Sequence, residues 1–597
     1  MATKPDSPKV TLDEARERYQ KEREKRLRDD GMAQFQEFKG IFEDFDTDPN
    51  VDPDFSRDPI VAEHDVLILG GGFGGMLAAV SLIREGVEDF AIIEKGGDFG
   101  GTWYWNRYPG CMCDVESYTY LPLLEETGYM PTERYASATE IFEHCQRIGN
   151  QFDLYRRAIF QTEIDEATWD ETSGRWTITT NRGDRLTARF FITASGILHK
   201  AKLPGIPGIE NFQGHTFHTS RWDYSYTGGS ATEKMTGLAD KRVGIIGTGA
   251  TGVQAVPKLT RDAKEVFVFQ RTPSGVGVRD NGPTDEEWFK TLKPGWQQER
   301  MRNFTSAVTG ERPEEDLVKD GWTHVLWVNT QDLADNEGLE WEDLERIDFE
   351  IMQEIRDRID DVVEDPDTAE KLKPWYGKHC KRVTFHDDYL AAFNEPNCHL
   401  VDTDGQGVSR ISESSVFVGD EEYPVDLLIF ASGFEVTTPL VQRFGFDPVG
   451  RGGVKLSERW HDGAHTLHGI LTAEFPNLMI ISTVQAGFGT NFVHFLVESS
   501  RHIAWMVKAC QDEGIATIEA TPEAEEEWIG KLWGIARGLS RYSSVCTPGY
   551  YNSEGILTSL AARNVTHPGN LMHYIEELDK WREAGGFPGA RIVKNSD

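Results

Sequence analysis

The chain has 597 residues, too many for one ordinary hydrophobic core, and this length predicts two to four domains. Its 62 basic and 99 acidic residues leave a net charge of −37, which argues against nucleic acid and anionic membranes as partners. Its apolar runs are shorter than the roughly 18 residues of a membrane-spanning helix. Met1–Asp6 lack the apolar core of a signal peptide, so we expect a cytoplasmic protein. The seven cysteines, an odd and sparse number, predict a reducing compartment and buried free thiols.

Residues 1–60 predict a helical extension followed by a linker. Residues 11–30 are dense in alternating charge, which is typical of an exposed helix. Phenylalanines then recur at a spacing of three and four residues, a stripe that would dock a helix onto the body of the protein: Phe35, Phe38, Phe42 and Phe45. Asp46–Pro59 is rich in aspartate and proline and predicts the linker.

A glycine fingerprint follows the first buried run, Asp65–Leu69. It comprises residues 70–75, and Glu94 lies 24 residues after Gly70, at the end of the apolar run Phe90–Ile93. A strand, a glycine turn and a helix in this order predict a pyrophosphate at the helix N-terminus, with the acidic residue on a ribose hydroxyl. The candidate cofactor residues of this first unit are Gly70, Gly72, Gly75 and Glu94.

An aromatic segment comes directly after this unit. Its flat side chains, beside a pyrophosphate site, would form the wall of a flavin pocket; the candidates are Thr102, Trp103, Tyr104 and Trp105. Asp114 ends the segment. Because it lies within one cofactor-binding stretch, we expect Asp114 to be functional rather than a turn residue.

A second glycine fingerprint follows the run Arg242–Ile246. Arg271 lies 24 residues after Gly247, at the end of the next predicted strand. An arginine at this position suits a 2′-phosphate, so this unit predicts NADP where the first predicts a dinucleotide with a free ribose. Two bound dinucleotides suggest that electrons pass from one to the other. The candidate residues of the turn are Thr248, Gly249, Ala250, Thr251 and Gly252.

The remaining pattern predicts an α/β protein with two Rossmann-like dinucleotide-binding domains and a helical insertion. A buried run at residues 189–196 has a near-copy at residues 426–434, which suggests that the chain leaves the first domain, builds a second and returns. Apolar residues at helical spacing between Leu344 and Val362 predict the insertion, at about 283–374. The predicted division is 1–60 extension, 61–210 first domain, 211–395 second domain, and 396–597 return to the first domain and C-terminal segment.

The segment between the two units, Phe212–Asp223, is compact and aromatic and predicts an inter-domain joint. The chain shows no spacing of Cys, His and carboxylates typical of a metal site, so we expect no metal, and His218 is expected to be a hydrogen-bonded structural residue. Later in the chain, Lys381 and Arg382 are adjacent cations, and pattern alone favours a solvated pair.

This joint carries the resemblance to a known family. Phe212, Gly214, His218 and Trp222 match the F-x-G-x-x-x-H-x-x-x-W fingerprint of Baeyer–Villiger monooxygenases, and the two glycine motifs flank it in that family's order. The resemblance extends over roughly residues 60–580. It implies an enzyme that uses FAD and NADPH to insert one oxygen atom of O2 next to a ketone carbonyl, giving an ester or lactone through a C4a-peroxyflavin.

The resemblance also implies roles for single residues. The first unit, with residues 102–105, Asp114 and Tyr120, would hold FAD. The second unit, with Arg271, Thr272 and Lys381, would hold NADPH. Arg382 matches the family's active-site arginine, and Asp114 matches its aspartate partner.

Three features depart from the best-known members of that family. They are the extension at residues 1–60, a late loop at residues 546–555 without the tryptophan that many relatives carry there, and Ala-Ser in place of Ala-Thr before Gly196 and Gly433. The extension and the late loop point to the subgroup that accepts large cyclic ketones. Two alternatives stay open: a flavin-dependent N- or S-oxygenase, and a non-catalytic nucleotide-sensing flavoprotein. The sequence makes no prediction of oligomeric state.

Overall fold

The computed structural model describes residues 10–36, 38, 40–309, 311, 313–327, 341–436, 438–536, 544–556, 558–568 and 570–595. The expectation for Met1–Asp6 lies outside these residues. Within them, no helix is both long enough and apolar enough to cross a membrane. Two sheets with flanking helices form the centre of the fold: the first is mixed, and the second is parallel across the residues described.

The first sheet is built around the strand Val61–Leu69. This strand pairs in parallel with Phe90–Ile93 on one side and with Arg185–Thr193 on the other. Val66, Leu67 and Ile68, near its C-terminal end, are fully buried, as expected where both faces of a strand are covered. Across the described residues the strand order is Ala158–Ile159, Phe90–Ile93, Val61–Leu69, Arg185–Thr193, Arg175–Thr180 and Ile164–Asp170, and Leu478–Ile480 also pairs with Arg185–Thr193.

The second sheet is parallel throughout the residues described. Its centre, Arg242–Ile246, has fully buried interior residues and pairs with Glu265–Gln270 and with Leu427–Phe430. Its strand order is Cys398–Asp402, Glu265–Gln270, Arg242–Ile246, Leu427–Phe430 and His215–His218.

This topology corrects where the chain returns to the first sheet. Cys398–Asp402 and Leu427–Phe430 belong to the second sheet, beyond residue 395. The chain returns to the first sheet after Phe430, first with a bridge from Val449 to Thr168 and then with the strand Leu478–Ile480. The near-copy strand therefore completes the second sheet. A short, wholly apolar run fits the middle of either parallel sheet, so its pattern cannot show which one it joins. The predicted joint is also not a simple turn, because His215–His218 is an edge strand of the second sheet.

The helix Phe73–Arg84 packs on the first sheet, and a group of helices forms the predicted insertion. Phe73–Arg84 packs against Phe492–Asp512. The prediction of an apolar helical face before Val362 is confirmed, because Trp341–Val362 is a helix with Ile351, Ile355 and Ile359 buried. In the part of the chain that the structure describes, the α-helices of seven or more residues are Leu12–Arg26, Phe73–Arg84, Ala138–Gln151, Ala250–Asp262, Trp296–Thr309, Trp341–Val362, Pro366–Leu372, Phe492–Asp512, Pro522–Ala536 and Asn570–Ala584.

Smaller elements connect these units. Short helices include Thr102–Trp105, Ser117–Tyr120, Leu124–Thr127, Tyr224–Thr227, Glu286–Phe289, Gly321–Leu326, Tyr389–Ala392, Leu440–Phe444, Leu456–Arg459 and Ser559–Arg563. Small sheets join Phe35–Gln36 to Leu203–Pro204, Val276–Gly277 to Thr384–Phe385, Arg410–Ile411 to Ser415–Val418 and Glu421–Pro424, and Ile515–Ala520 to Ala590–Lys594.

The N-terminal extension lies along the second unit. Its first helix, Leu12–Arg26, begins with a capping box at Thr11. The phenylalanine stripe, predicted to be one helix, is instead a short strand at Phe35 followed by a 3-10 helix, Gly40–Asp46, because Gly40 takes a φ of +63° that interrupts helical geometry. The docking itself is confirmed, since Phe42 and Phe45 are buried in a cluster with residues of the second sheet.

Candidate active site

The first glycine turn joins the strand Val61–Leu69 to the helix Phe73–Arg84. Gly70 has a φ of +104°, and a Cβ there would lie 2.5 Å from the carbonyl oxygen of Ala194. A Cβ on Gly75 would lie 1.8 Å from the carbonyl oxygen of Gly70. Both positions therefore require glycine, and the turn presents the free N–H groups of the helix N-terminus to the adjacent cavity.

Glu94 stabilises this turn from the end of the neighbouring strand. Its two carboxylate oxygens accept hydrogen bonds from the N–H of Gly71 at 2.5 Å and the N–H of Gly96 at 2.6 Å. Burial raises the pKa of Glu94, although the two backbone donors oppose that rise. Backbone groups of the first unit therefore hold the Glu94 carboxylate on the wall of the cavity.

The aromatic segment lies against the same turn. A Cβ on Gly101 would lie 2.8 Å from the Cα of Gly72, so backbone meets backbone here. The Trp103 indole N–H donates to the hydroxyl of Tyr120 at 3.1 Å, and both side chains line the cavity with Thr102 and Trp105. Tyr104 does not line the cavity. Its hydroxyl donates to Asp48 of the N-terminal extension at 2.6 Å.

The second glycine turn repeats the geometry of the first. Gly247 has a φ of +114°, with Cβ space blocked at 2.4 Å by the carbonyl oxygen of Ala431, and a Cβ on Gly252 would lie 2.3 Å from the carbonyl oxygen of Gly247. Gly249 comes directly before the helix Ala250–Asp262. No atom of the described residues lies within 4 Å of the position that a Cβ on Gly249 would take. A phosphate can therefore approach this helix N-terminus closely.

Arg271 lies at the end of the next strand, with contacts to two remote segments. Its Nη1 donates to Gln34 Oε1 at 2.5 Å, and its Nη2 donates to Glu554 Oε2 at 3.0 Å. The main-chain carbonyl of the adjacent Thr272 accepts from the Thr248 hydroxyl at 2.8 Å, which ties this strand end to the glycine turn.

Lys381 lies on the same side of the cavity as Arg271. Its Nζ donates to the carbonyl of Pro548 at 3.0 Å. Burial and the neighbouring Arg271 lower the pKa of Lys381 to about 7. The ammonium is therefore easily deprotonated unless an anion approaches it.

Arg382 and Asp114 form a bidentate pair between the two units. Arg382 donates through Nη2 to Asp114 Oδ1 at 2.7 Å and through Nε to Asp114 Oδ2 at 3.2 Å. Burial alone would lower the pKa of Arg382, but the Asp114 carboxylate raises it above its ordinary value. Trp322 supports both partners: its indole N–H donates to the main-chain carbonyl of Asp114 at 2.8 Å, and its ring lies 4.6 Å from the guanidinium carbon.

The late loop, residues 546–555, is joined covalently to the chain segment just before Lys381 and Arg382. Cys546 forms a disulfide with Cys380, with their Cα atoms 5.0 Å apart. The expectation that all seven cysteines are free is therefore wrong for this pair. The two residues are 166 positions apart in the chain, and only the fold brings them together. The other five cysteines are free and buried, as expected.

The four fingerprint residues do not line the cavity. A Cβ on Gly214 would meet the Phe212 ring at 2.5 Å, and Trp222 donates to the Thr227 hydroxyl at 3.2 Å. The His218 Nδ1 accepts from the N–H of Ser220 at 3.2 Å, and burial lowers the pKa of His218 to about 3. These contacts support the edge strand of the second sheet and its connection to the rest of the fold.

One cavity of about 1350 Å³ joins all these parts. Both glycine turns, Glu94, Arg271, Lys381 and the Arg382–Asp114 pair line it. Small-ligand pockets usually measure about 300–1,000 Å³, so this volume suits more than one small molecule. Among the described residues, no group of three or more Cys, His and carboxylate side chains is placed to hold a metal. The glycine cradles, which a Cβ would fill, and the ribose and phosphate partners fit FAD and NADP.

Sequence reasoning did not single out four residues of this site. The guanidinium carbon of Arg221 lies 3.8 Å from the centre of the Trp105 ring, and Arg221 lines the cavity. Its position next to Trp222 of the fingerprint could have indicated it. Gln254 accepts from the Tyr108 hydroxyl at 2.8 Å and so links the second helix to the aromatic segment. Trp322 and Glu554 carry no sequence signal, because only the tertiary fold brings them to the site.

Two dinucleotide sites that meet at a partly buried arginine–aspartate pair define a flavoprotein that receives electrons from NADPH beside a site for an electrophilic substrate. Residues 63–286 match the flavin-binding monooxygenase-like family. The Baeyer–Villiger monooxygenase ATR8 of Stachybotrys chlorohalonatus is 47% identical over 97% of this chain and 94% of its own length. The polycyclic ketone monooxygenase of Thermothelomyces thermophila has a structure that matches with a TM-score of 0.91 at 39% identity, covering 98% of this chain and 99% of that one.

A crystal structure of OTEMO in complex with FAD and NADP matches with a TM-score of 0.75 at 26% identity, covering 90% of this chain and 100% of that one. The chain belongs to the Baeyer–Villiger monooxygenases. It is an FAD- and NADPH-dependent enzyme that oxidises a ketone to an ester or lactone. Its two Rossmann-like units agree with the predicted fold class, and the comparisons favour neither an N- or S-oxygenase nor a non-catalytic nucleotide sensor.

Proposed function

We propose that this enzyme oxidises a bulky cyclic ketone and that the Arg382–Asp114 pair stabilises the charge that develops on the ketone oxygen. The single observation that carries the second part is the bidentate pair, fixed by Trp322 on the wall of the cavity that both glycine turns share. The size of the substrate is supported by the likeness to a polycyclic ketone monooxygenase.

The first unit would hold FAD through Gly70, Gly72, Gly75 and Glu94. Thr102, Trp103, Trp105, Asp114 and Tyr120 line the cavity next to these residues and would surround the flavin. Tyr104 would act through its hydrogen bond to the N-terminal extension. When bound and reduced by NADPH, FAD supplies the chemistry that activates O2 and delivers one of its oxygen atoms to the ketone.

The second unit would hold NADPH. The helix N-terminus at Thr248–Gly252 suits the pyrophosphate, and Arg271, Thr272 and Lys381 suit the 2′-phosphate. His218 and Trp222, which lie outside the cavity, would act indirectly by supporting the edge strand between the units.

Arg382 would donate to the substrate from the guanidinium nitrogen that Asp114 does not hold. Nη2 and Nε are engaged with Asp114, which leaves Nη1 for the ketone oxygen. Addition of an oxygen nucleophile turns the carbonyl into a negatively charged tetrahedral centre. A donor fixed beforehand toward that charge is worth about 3 kcal/mol in comparable oxyanion sites. Asp114 would keep the guanidinium oriented and charged.

A product assay tests this function. The purified holoenzyme receives NADPH, O2 labelled with ¹⁸O, and a small, a macrocyclic or a steroidal ketone, with a thioether in parallel. We expect one labelled oxygen atom in an ester or lactone, formed fastest from the larger ketones. Sulfoxide without any ester would contradict the ketone assignment. A preference for the small ketone would contradict the assignment of substrate size alone.

We also propose a division into domains and a location. The sheets favour a first domain from residue 61 to about 210 that resumes after about 435, with a second domain between these segments. The five buried free cysteines support a cytoplasmic location. Among the described residues, both cysteines of the one disulfide are buried. On cell fractionation, the NADPH-dependent activity should be recovered with the cytosol, and recovery outside it would contradict the proposed location.

A further inference from the structure

Arg271 is held by two segments that lie outside the second sheet and its helices. Gln34, which accepts from Nη1, belongs to the N-terminal extension, and Glu554, which accepts from Nη2, belongs to the late loop. A phosphate bound end-on to the guanidinium, in bidentate fashion, would use these same two terminal nitrogens. The chain itself therefore occupies the guanidinium that we assign to the 2′-phosphate.

Glu554 also offsets the charge of the surrounding cations. Lys202, Arg271 and Lys381 line the cavity together with Glu554, and the charges of both lysines interact with those of Arg271 and Glu554. Arg26, which donates to the main-chain carbonyl of Arg271, has its own carboxylate partner, Glu22, at 2.6 Å. Within this cluster Glu554 has the place and the charge sign that a 2′-phosphate would have.

The late loop transmits this contact toward the reaction site. Glu554 and the preceding Ser553 have φ values of +56° and +50°, a left-handed conformation that residues with a side chain rarely adopt without a compensating contact. Earlier in the loop, the Pro548 carbonyl accepts from Lys381, and Tyr550 and Tyr551 line the cavity together with Arg382. A shift of Glu554 would therefore be felt at both cations.

We propose that Glu554 acts as an internal substitute for the 2′-phosphate of NADPH and so couples binding of the coenzyme to release of the late loop. The arriving phosphate displaces the carboxylate from Arg271, because two anions on one guanidinium repel each other, and this displacement releases the late loop. A coenzyme with a free 2′-hydroxyl lacks the charge to do so. The inference rests on the proposed role of Arg271 in holding the phosphate.

Binding of adenosine 2′,5′-bisphosphate to the FAD-loaded protein tests the proposal, with adenosine 5′-monophosphate as the ligand that lacks the 2′-phosphate. Isothermal titration calorimetry gives the affinities without turnover. In Glu554→Gln, which keeps a hydrogen-bond acceptor and removes the charge, the bisphosphate should bind roughly tenfold more tightly, while the monophosphate changes little. Unchanged or weaker binding of the bisphosphate would overturn the proposal.

A second variant tests the same contact from the opposite side. Gln34→Glu adds a carboxylate to Arg271, so it should weaken binding of the bisphosphate by roughly tenfold and leave the monophosphate unaffected. The matched control is Glu583→Gln, an exposed residue near the end of the helix Asn570–Ala584, which removes the same charge and should change neither affinity.

Hydrogen exchange and one further variant complete the test. In the wild-type holoenzyme, the bisphosphate should speed amide exchange in residues 546–555 more than the monophosphate does, and equal exchange would contradict release of the loop. Arg271→Ala distinguishes a failure of the proposed phosphate site from a failure of the role proposed for Glu554. If this variant keeps its preference for the bisphosphate, the proposed phosphate site is wrong. If it loses the preference while Glu554→Gln behaves as wild type, only the substitution by Glu554 is wrong.

Discussion

The two dinucleotide units share one backbone plan but differ in what completes them. In the first, Glu94 receives both of its hydrogen bonds from N–H groups of its own unit, at Gly71 and Gly96. In the second, Arg271 is held by Gln34 and Glu554, from the N-terminal extension and the late loop. One site is therefore built locally, whereas the other depends on distant segments.

This difference suits the two cofactors. A site assembled from neighbouring residues stays formed and retains its ligand. A site closed by segments that can move away allows a coenzyme to enter and leave in every catalytic cycle. The shared glycine turn thus supports a resident FAD in one unit and an exchanged NADPH in the other.

The largest effect is expected from filling one glycine cradle at a time. Gly75→Ala places a Cβ 1.8 Å from a carbonyl oxygen, and Gly252→Ala places one at 2.3 Å, so the backbone must shift in each variant. Gly75→Ala should purify without the visible absorbance of FAD and without activity. Gly252→Ala should keep FAD but lose reduction by NADPH.

Gly530→Ala is the matched control for both variants. This glycine lies in the helix Pro522–Ala536 with open space around its Cβ position, so the substitution should leave FAD content and activity intact. Loss of FAD from Gly252→Ala to the same extent as from Gly75→Ala would show that the two units are not independent.

A smaller but still large effect is expected at the pair between the units. Arg382→Ala removes a fixed donor to the ketone oxygen and should lower the rate of ester formation by about 10²–10³-fold. Reduction of the flavin by NADPH, followed by stopped-flow absorbance without O2, should stay within about threefold of wild type, because that step needs no oxyanion donor. Ester formation at the wild-type rate would refute this role.

The smallest effect concerns pH and the NADPH unit alone. Burial and Arg271 lower the pKa of Lys381 to about 7, so its charge is lost as the pH rises through 7. Only the ammonium attracts a phosphate, and its population falls about tenfold between pH 6 and 8. The KM for NADPH should therefore rise by up to about tenfold over that range, and this rise should be absent in Lys381→Met. FAD retention should not change with pH in either protein. The same profile in both proteins would exclude Lys381 as its cause.

Much of the fold followed from local patterns. The strands Val61–Leu69 and Arg242–Ile246, their glycine turns and the helix before Val362 all have strong short-range signals, because apolar periodicity and steric demands on glycine act within a few residues. The placement of Leu427–Phe430 could not be predicted in the same way. Its sequence fits either sheet, and pairing with Arg242–Ile246 is decided by where the intervening chain brings it.

The candidate site likewise combines residues placed by local patterns with residues placed only by the tertiary fold. By itself the sequence determined the glycine cradles, the acid at position 94 and the arginine at position 271, because their spacing within a strand–turn–helix unit dictates where they lie. The meeting of Asp114 with Arg382 was expected from the family resemblance and not from any local pattern. Only the tertiary structure decided that Cys380 pairs with Cys546 and that Glu554 meets Arg271. These contacts join residues more than 150 positions apart, and such distances are closed by the packing of whole units rather than by any local preference of the chain.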